Sequence, residues 1–306
     1  MIPDVKRLIL LALAVIVAGG VAFSYYPPFR LLALVAVGRS PLCPWKQALD
    51  SDENLREQVH YKDQILNASS MVQEDPKGFE LWNTPSGPFW IPQASRYILP
   101  FNLAEQRRKI YGTGEFGPRA GDTILDCGAN VGVTVREELA AGAKQIVAIE
   151  PAPENLECLR RNFAREIESG RVTVYPKGVW DKDDFLTLRV DPKNSGADTF
   201  VLQRAGAKPL ERVPLTTIDK LVGELKLDRV DYIKMDVEGS EAKALAGARE
   251  TLAKYKPRIS VASNNAPDQP RVLPGIVRAA RSDYQMFSGP CEQQNFSVQP
   301  DVLYFK

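Results

Sequence analysis

Short apolar runs alternate with amphipathic stretches in the second half of the chain, from about residue 117 onward. Apolar runs bounded by turn residues predict buried strands. Such runs are TILDC (123–127), QIVAI (145–149), VTVY (172–175), FLTLRV (185–190), VDYIKMD (230–236), RISVA (258–262) and VLYF (302–305). Helices are predicted up to about residue 141 and over 153–167, 215–225 and 239–255. Strands separated by helices predict an α/β fold with a doubly wound, mostly parallel sheet that is covered on both faces.

Residues 40–115 form a lead-in region with a different pattern. SDENLREQVHYKDQIL (51–66) predicts a helix that begins at a serine N-cap and has an acidic first turn. Three residues would form its apolar side: Leu55, Val59 and Leu66. FELWNTPSGPFWIP (79–92) predicts two short aromatic strands about a Pro/Gly turn. We expect Trp82 and Trp90 within it to cover the edge of the core.

The N-terminal segment LILLALAVIVAGGVAFSYYPPF (8–29) lies between Arg7 and Arg30 and carries no charge. As a helix it would be about 33 Å long, close to the hydrocarbon thickness of a bilayer. A cleavable signal peptide and a buried core helix are the alternatives, but the run is long for the first and lacks a polar face for the second. We therefore expect residues 1–39 to be an uncleaved single-pass anchor with its juxtamembrane segment. The apolar run at 31–37 is too short for a second span and would lie in the interface or pack on the domain.

The charge balance argues against some classes of partner. The 306 residues are 44% hydrophobic and 25% charged, and 39 basic and 38 acidic residues give a net charge of +1. No Lys/Arg run stands out, so we expect no nucleic-acid partner. The one histidine, His60, is expected at the surface of the 51–66 helix. This excludes Ser-His-Asp chemistry and a multi-histidine zinc site, and we expect no metal site.

The four cysteines do not have the spacing of a zinc or thioredoxin-type site. Cys127 ends a predicted strand and Cys158 lies in a predicted helix, where we expect small buried thiols. A disulfide between Cys43 and Cys291 would require an exported domain. We expect these two thiols to be free.

Three of the predicted strands end in an acidic residue: Asp126, Glu150 and Asp236. In doubly wound sheets, ligands bind outside the carboxyl ends of the strands. The first strand continues as DCGANVG, in which Gly128 and Gly132 would let the backbone approach a ligand and the next helix would supply backbone donors. Glu150 could accept hydrogen bonds from both hydroxyls of a ribose. Together these features predict a cofactor that contains adenosine.

Two classes of adenosine cofactor remain at this point. A nicotinamide dinucleotide fold requires G-x-G-x-x-G to hold a pyrophosphate, but this turn reads G-A-N-V-G. Asp126 precedes the turn and would repel an anion, whereas it would attract the cationic amino and sulfonium groups of S-adenosylmethionine. The local chemistry therefore favours S-adenosylmethionine.

Several segments, in chain order, resemble the FkbM-type S-adenosylmethionine-dependent methyltransferases. They are DCGANVGVT, IEPAPENLECLRRNF, GVWDKDDFLTL, TTIDKL and YIKMDVEGSEAKALAGARETLAKYKPRISV. The resemblance covers residues 111–262, with weaker likeness to the C-terminus. It implies a sheet of the class I methyltransferase (Rossmann-like) type in a domain over residues 116–306. It also implies O-methylation, often of a sugar or natural product.

The resemblance carries roles onto individual residues of this chain. The methionine end of the cofactor would be lined by Asp126, Gly128, Asn130 and Gly132. Glu150 would hold the ribose, and Asp181 would lie near the adenine. Lys234, Asp236 and Glu238 would face the transfer site. Related enzymes often carry a histidine after the strand RISV, whereas this chain has ASNNAPDQP (262–270).

A hydroxyl acceptor must lose a proton, so the site requires a base. We expect Asp236 to be the general base, with Glu238 as second choice, because burial and a neighbouring like charge raise a carboxyl pKa. Lys234 could steer charge or pair with one of them. The alternative is structural: Asp236 would cap the helix that begins near Gly239, and Glu238 would pair with its N-terminus.

The acceptor pocket would be shaped by residues 79–101 and by the loops near 191–210 and 263–275. We expect the polar stretch 191–200 to be an ordinary surface loop rather than a lid. The membrane anchor, residues 8–29, favours a lipid-linked or membrane-proximal acceptor. Because S-adenosylmethionine is made in the cytosol, we expect the domain to face the cytosol. A catalytically silent, anchored binding module is the alternative function.

Overall fold

The computed structural model describes residues 5–191, 194–203 and 206–306. Its helices are α1 (Val5–Tyr25), α2 (Pro27–Ala36), α3 (Trp45–Leu49), α4 (Ser51–Asn67), α5 (Leu99–Arg108), α6 (Val133–Ala140), α7 (Pro153–Asn162), α8 (Ala164–Glu168), α9 (Ile218–Glu224), α10 (Glu241–Ala246), α11 (Arg249–Tyr255) and α12 (Gln269–Ala280). Its strands are β1 (Ser70–Asp75), β2 (Phe79–Thr84), β3 (Gly87–Pro92), β4 (Thr123–Cys127), β5 (Gln145–Ile149), β6 (Val172–Tyr175), β7 (Gly178–Val179), β8 (Asp184–Val190), β9 (Lys208–Thr216), β10 (Tyr232–Met235), β11 (Arg258–Ala262), β12 (Met286–Ser288), β13 (Cys291–Gln294), β14 (Ser297–Pro300) and β15 (Val302–Phe305).

A seven-stranded sheet has the order β12-β15-β11-β10-β4-β5-β6. Strands β4, β5, β6, β10 and β11 are parallel, and β15 runs antiparallel to β11 and β12. Strand β4 lies inside the sheet. From it the chain adds β5 and β6 on one side and then β10 and β11 on the other side. The predicted doubly wound, mostly parallel sheet is confirmed.

Alternation along β4 explains why this strand is buried on both faces. Leu125 and Cys127 belong to one hydrophobic cluster, with Ile233 and Val261 of the neighbouring strands. Ile124 belongs to the cluster on the other face. Since side chains of a strand alternate between faces, a continuous apolar run is what a doubly covered sheet requires.

Two helices predicted as continuous are each broken by a tertiary contact. The predicted helix 153–167 is interrupted at Phe163, which is buried in the core. The predicted helix 239–255 is interrupted at Gly247, where a Cβ would lie 2.0 Å from the Trp180 carbonyl oxygen. In the predicted helix 215–225, the first two residues belong to β9 and the helix begins after them.

The lead-in region packs on the domain and shares a core with it. Phe89, Leu103 and Cys158 lie in one cluster, which joins β3, α5 and α7. The two aromatic strands are confirmed as β2 and β3, and β1 adds a third antiparallel strand that the pattern did not predict. Trp82 and Trp90 pack against this cluster, as expected of residues that cover the edge of the core.

Helix α4 covers the predicted residues and ends one residue later. The predicted serine N-cap is wrong, because Asp50 occupies the N-cap position without a side-chain capping hydrogen bond, and the predicted buried side is wrong as well. Leu55 and Val59 are 54% and 41% exposed, whereas Gln58 and Ile65 are buried. The Gln58 amide donates to the carbonyl oxygen of Phe101 at 3.0 Å. A polar side chain such as Gln58 can therefore lie on the buried face of a helix when its hydrogen bonds are satisfied, although a hydrophobicity pattern would place it on the exposed face. His60 is exposed, as predicted.

The N-terminal helices divide between solvent and domain. Residues Arg7–Tyr25 form one helix that is long and apolar enough to cross a membrane, and none of it is buried. The next helix buries Leu31 and Leu34 against Val298 of β14. The apolar run at 31–37 therefore packs on the domain, one of its two predicted locations.

Cys43 and Cys291 form a disulfide, so the expectation of free thiols at these positions is wrong. It joins the segment before α3 to β13, across 248 residues of sequence. A pattern of spacings carries no information on such a contact, because it forms only when the C-terminal hairpin packs on α2 and α3. Cys127 and Cys158 are free and buried, as predicted.

Candidate functional site

A cleft lies at the carboxyl ends of β4, β5 and β10, where the strand order reverses around β4. Two adjoining cavities share this cleft. The larger, of about 180 Å³, is lined by Ile98, Asn102, Glu105, Gln106, Tyr111, Gly128, Ala129, Asn130, Val133, Thr134, Asn194, Gly196, Lys234, Asp236 and Glu238. The smaller, of about 50 Å³, is lined by Gly128, Asn130, Ile149, Glu150, Pro151, Lys177, Gly178, Val179, Ser195, Gly196, Asp198, Phe200, Asp236, Val237, Glu238 and Ser240. The backbone turn after β4 and the segment after β10 lie between the two cavities and line both of them.

The glycines of the turn after β4 are required by packing within the protein. At Gly128, with φ of +81°, a Cβ would lie 1.8 Å from the backbone oxygen of Asp236. At Gly132, with φ of +91°, a Cβ would lie 2.1 Å from the Phe163 ring. The sequence reasoning attributed both glycines to the approach of a ligand. In the structure, they allow the turn to pack against the β10 loop and against the α7–α8 junction.

Asn130 links the turn to the rest of the cleft. Its backbone adopts a left-handed conformation, with φ of +49°, and its amide nitrogen donates to Glu150 Oε2 at 2.9 Å. Its side-chain Nδ2 donates to the Ser195 carbonyl oxygen at 3.0 Å. Asn130 therefore positions the acid at the end of β5 and also the segment that covers the cleft.

Glu150 lies at the wall of the smaller cavity and is almost fully buried. Its Oε1 accepts from the Ala152 amide at 2.8 Å, and Oε2 accepts from Asn130. Burial raises the pKa of Glu150 to about 7, and these two backbone donors act in the opposite direction. Each carboxylate oxygen keeps acceptor capacity for a further donor, such as a hydroxyl.

Asp126 lies beneath the cleft and does not line either cavity. Its side chain is fully buried, its Oδ2 accepts from the Thr134 hydroxyl at 2.5 Å, and its Oδ1 lies 3.1 Å from Lys234 Nζ. The Lys234 ammonium also donates to the Gly128 carbonyl oxygen at 2.8 Å. The expected repulsion of an anion by Asp126 does not hold, since Lys234 compensates its charge.

The charge of Lys234 is fixed by its surroundings. Although burial opposes the charged form, Asp126 and Asp236 raise the pKa of Lys234 to about 12. Removing one partner of a buried ion pair leaves an uncompensated charge. Lys234 therefore holds the turn and the β4 end together, and it borders the larger cavity.

Asp236 borders both cavities and has fixed orientation. Its Oδ2 accepts from the Tyr111 hydroxyl at 2.7 Å, and its Oδ1 accepts from Asn265 Nδ2 at 3.1 Å. Asn265 lies in the segment where related enzymes often carry a histidine. Asn265 belongs to the loop 263–275, which was predicted to shape the acceptor pocket, whereas Tyr111, at the edge of the segment that carries the family resemblance, was not predicted as part of the site.

The N-cap of the helix that follows β10 is Ser240, with no side-chain capping hydrogen bond, so the alternative in which Asp236 caps this helix is not observed. Glu241 Oε1 accepts from the backbone amides of Val237 at 3.0 Å and Gly239 at 3.3 Å. Glu238 has a left-handed backbone, with φ of +53°, and borders both cavities.

The segment 194–200 covers the cleft, so the expectation of an ordinary surface loop is wrong. The carbonyl oxygen of Ser195 accepts from Asn130 Nδ2 and, at 3.1 Å, from Asn155 Nδ2. The Ser195 hydroxyl lies 2.6 Å from that of Ser95, and the Thr199 hydroxyl donates to the Glu238 carbonyl oxygen at 2.6 Å. The segment is therefore tied to both halves of the cleft.

A further acid that lines the smaller cavity is Asp198. Burial raises the pKa of Asp198 to about 8. Asp181, which the resemblance placed near an adenine, does not line either cavity, and its Oδ2 accepts from Lys243 Nζ at 2.6 Å. The sequence signal missed Asp198 because it occurs in a polar stretch without a motif.

A metal site was not predicted. Within the described ranges, no cluster of three or more His, Cys, Asp or Glu residues is arranged to hold a metal ion.

A family model and a related protein match this chain in sequence. A sequence model described as the methyltransferase FkbM domain matches residues 126–285. The 2-O-methyltransferase NoeI of Sinorhizobium fredii (strain NBRC 101917 / NGR234) is 30% identical over 151 residues, which are 44% of this chain and 60% of that protein. The matched region therefore spans less than two thirds of NoeI.

Solved structures include further similar proteins. The crystal structure of methyltransferase FkbM from Methylobacillus flagellatus KT has a TM-score of 0.46 and 18% identity, over 85% of this chain and 62% of that chain. TYW2 of M. jannaschii in complex with AdoMet has a TM-score of 0.40 and 13% identity, over 76% of this chain and 86% of that chain. The strand order of this chain, with β15 antiparallel to its two neighbours, is of the class I methyltransferase type, in agreement with the matched family model.

Proposed function

The chain belongs to the FkbM methyltransferase family, and we propose that it transfers a methyl group from S-adenosylmethionine to a hydroxyl oxygen. The acceptor would be a sugar, a glycan, a lipid-linked molecule or a natural product. One observation carries this proposal: a cavity beside Glu150 adjoins a second, polar cavity beside Asp236, and both are bordered by the turn at Gly128 and Asn130. A donor and an acceptor could therefore meet at this turn.

The smaller cavity has the chemistry required by an adenosine. Glu150 presents a carboxylate for ribose hydroxyls, and the Phe200 ring borders the same cavity. Asp198, which lines the same cavity, would lie near the adenine in place of Asp181. Gly128, Asn130 and Gly132 would shape the methionine end of the cofactor, with Asp126 beneath them. When bound, S-adenosylmethionine supplies a methyl carbon attached to a positively charged sulfur.

The larger cavity suits an acceptor with several hydroxyls. Its lining includes amide and carboxyl side chains from Asn102, Glu105, Gln106 and Asn194. Such groups can donate to and accept from hydroxyls, whereas an apolar acceptor would leave them without partners. NoeI, whose name states 2-O-methylation, supports a hydroxyl acceptor.

The predicted transfer-site residues have distinct roles in this proposal. Asp236 would orient the acceptor, because Tyr111 and Asn265 fix the position of its carboxylate. Lys234 would hold the turn and keep the local charge balanced. Glu238 would border the region between donor and acceptor. Methyl transfer depends largely on such positioning.

A transfer assay tests this function against the alternative of a catalytically silent, anchored binding module. The purified full chain would be incubated with methyl-tritiated S-adenosylmethionine and with separate lipid and glycan extracts. We expect label in an acceptor fraction that is stable to base and absent when protein is omitted. Cofactor binding without transfer to any fraction would favour the binding module.

We also propose the division into an anchor (1–39), a lead-in region (40–115) and a methyltransferase domain (116–306), with residues 8–29 in the membrane. The disulfide between Cys43 and Cys291 supports a domain in an oxidising compartment, because disulfides are rare in the cytosol. This replaces the cytosolic orientation expected from the source of the cofactor. S-adenosylmethionine would then have to be supplied to that compartment.

Thiol labelling tests the orientation. In cells quenched with acid and denatured without reductant, a maleimide-polyethylene glycol should label two cysteines, Cys127 and Cys158, and four after reduction. The control Cys43→Ser should show three labels without reductant, because Cys291 loses its partner. Four labels in the unreduced wild-type chain would restore the cytosolic orientation.

A further inference from the structure

One face of α5 forms a wall of the larger cavity. Ile98, Asn102, Glu105 and Gln106 border it, at spacings of three and four residues that bring side chains to the same side of a helix. This helix precedes the segment matched by the family model, residues 126–285. The domain thus receives part of its site from the lead-in region.

Glu105 differs from the other carboxylates of the cleft. Among the described residues, its carboxylate has no hydrogen-bond or ion-pair partner, although it is only partly accessible from the cavity. Both oxygens of Asp236 and of Glu150 accept hydrogen bonds from protein donors. Asp126 is compensated by Lys234. Glu105 therefore presents to a bound acceptor two carboxylate oxygens that no donor among the described residues occupies.

The charges around Glu105 favour a proton on its carboxyl group. Burial raises its pKa to about 8, with Asp236 and Glu292 acting in the same direction and Lys234 and Arg108 in the opposite one. Tyr111 and Asp301 also face it. A general base is most effective when its pKa lies near the working pH. The more strongly hydrogen-bonded Asp236 lacks a free oxygen of this kind.

Building on the proposed function, we propose that Glu105 is the catalytic residue that accepts the proton of the acceptor hydroxyl. The O–H bond breaks and its proton moves to a Glu105 carboxylate oxygen. The acceptor oxygen forms a bond to the methyl carbon, and the bond from that carbon to sulfur breaks. The electron pair stays on sulfur, so a cation, an anion and a neutral alcohol become a neutral thioether, a carboxylic acid and an ether.

The test compares Glu105→Gln with Asp236→Asn and with Glu53→Gln, a control at an exposed site on α4. Binding of S-adenosylmethionine is measured by calorimetry, and transfer from the tritiated cofactor to the extract labelled by wild type is measured from pH 6 to 9. We expect the wild-type rate to rise with pH through about 8, since only the ionised carboxylate accepts a proton. Glu105→Gln should lower the rate about 10²–10⁴-fold and remove this rise, with unchanged cofactor binding. Glu105→Asp should restore part of the rate.

Three results have different meanings. A Glu105→Gln rate within threefold of wild type, with the rise intact, overturns the role of Glu105. If the rise of the rate with pH is lost in Asp236→Asn but not in Glu105→Gln, the role of Glu105 is also overturned, and Asp236 is the general base. Absence of transfer by the wild-type chain overturns the proposed function itself, before any variant is considered. Thermal unfolding and cofactor binding of each variant verify that it is folded.

Discussion

Glu150→Ala is expected to abolish the binding of S-adenosylmethionine while leaving the chain folded. The substitution removes the acceptor for the ribose hydroxyls and releases the amides of Asn130 and Ala152. Hydrogen bonds to a charged group contribute about 1.5–3 kcal/mol each, so two lost hydroxyl contacts weaken binding by a factor of at least about 10². Isothermal titration calorimetry measures this directly.

The control for this substitution is Glu168→Ala, at an exposed position at the end of α8. It should bind the cofactor as the wild type does. If Glu150→Ala binds within threefold of Glu168→Ala, the ribose does not lie at Glu150 and the cofactor site has been misplaced.

The same carboxylate should make cofactor binding depend on pH. Burial raises the pKa of Glu150 to about 7, so it is largely ionised above that pH and protonated below it. The ionised form accepts hydroxyl hydrogen bonds more strongly. The dissociation constant should therefore increase as the pH falls from 8 to 6, and this dependence should be absent in Glu150→Gln, whose side chain keeps an acceptor oxygen but does not titrate.

Gly128→Ala is expected to have the largest effect on the fold of the site. A Cβ at this position would lie 1.8 Å from the backbone oxygen of Asp236, so the turn or the β10 loop must move. The left-handed backbone adds about 1–2 kcal/mol, and the overpacking about 1–3 kcal/mol more. We expect loss of cofactor binding, of transfer and of several kcal/mol in the free energy of unfolding.

Gly170→Ala separates the two contributions. Gly170 has φ of +76°, close to that of Gly128, but a Cβ there has no atom within 4 Å. Gly170→Ala should lose unfolding free energy only through its left-handed backbone, and cofactor binding should be unchanged. If urea unfolding gives equal losses of free energy for Gly128→Ala and Gly170→Ala, the close contact with Asp236 does not contribute to the destabilisation.

The central strands could be predicted from the sequence because their burial is continuous. Strands β4, β5, β11 and β15 have the predicted bounds, since a run buried on both faces has no competing period. The acidic ends of β4, β5 and β10 then follow from the direction of a parallel sheet. The family resemblance added the identity of the cofactor class.

Contacts between distant segments could not be predicted in this way. The pairing of Asp126 with Lys234 depends on the register of β4 beside β10. The split at Gly247 depends on the Trp180 carbonyl oxygen. Glu105 occurs on a helix without any motif, and the packing of α5 against α4 and α6 brings it to the cleft.

Calorimetric titration of S-adenosylmethionine and of NAD into the full chain, purified in detergent, tests the central claim most directly. We predict one S-adenosylmethionine site per chain and no heat from NAD. A titration in which S-adenosylmethionine gives no binding, or in which NAD binds in its place, would contradict the assignment of this cleft to a methyl donor.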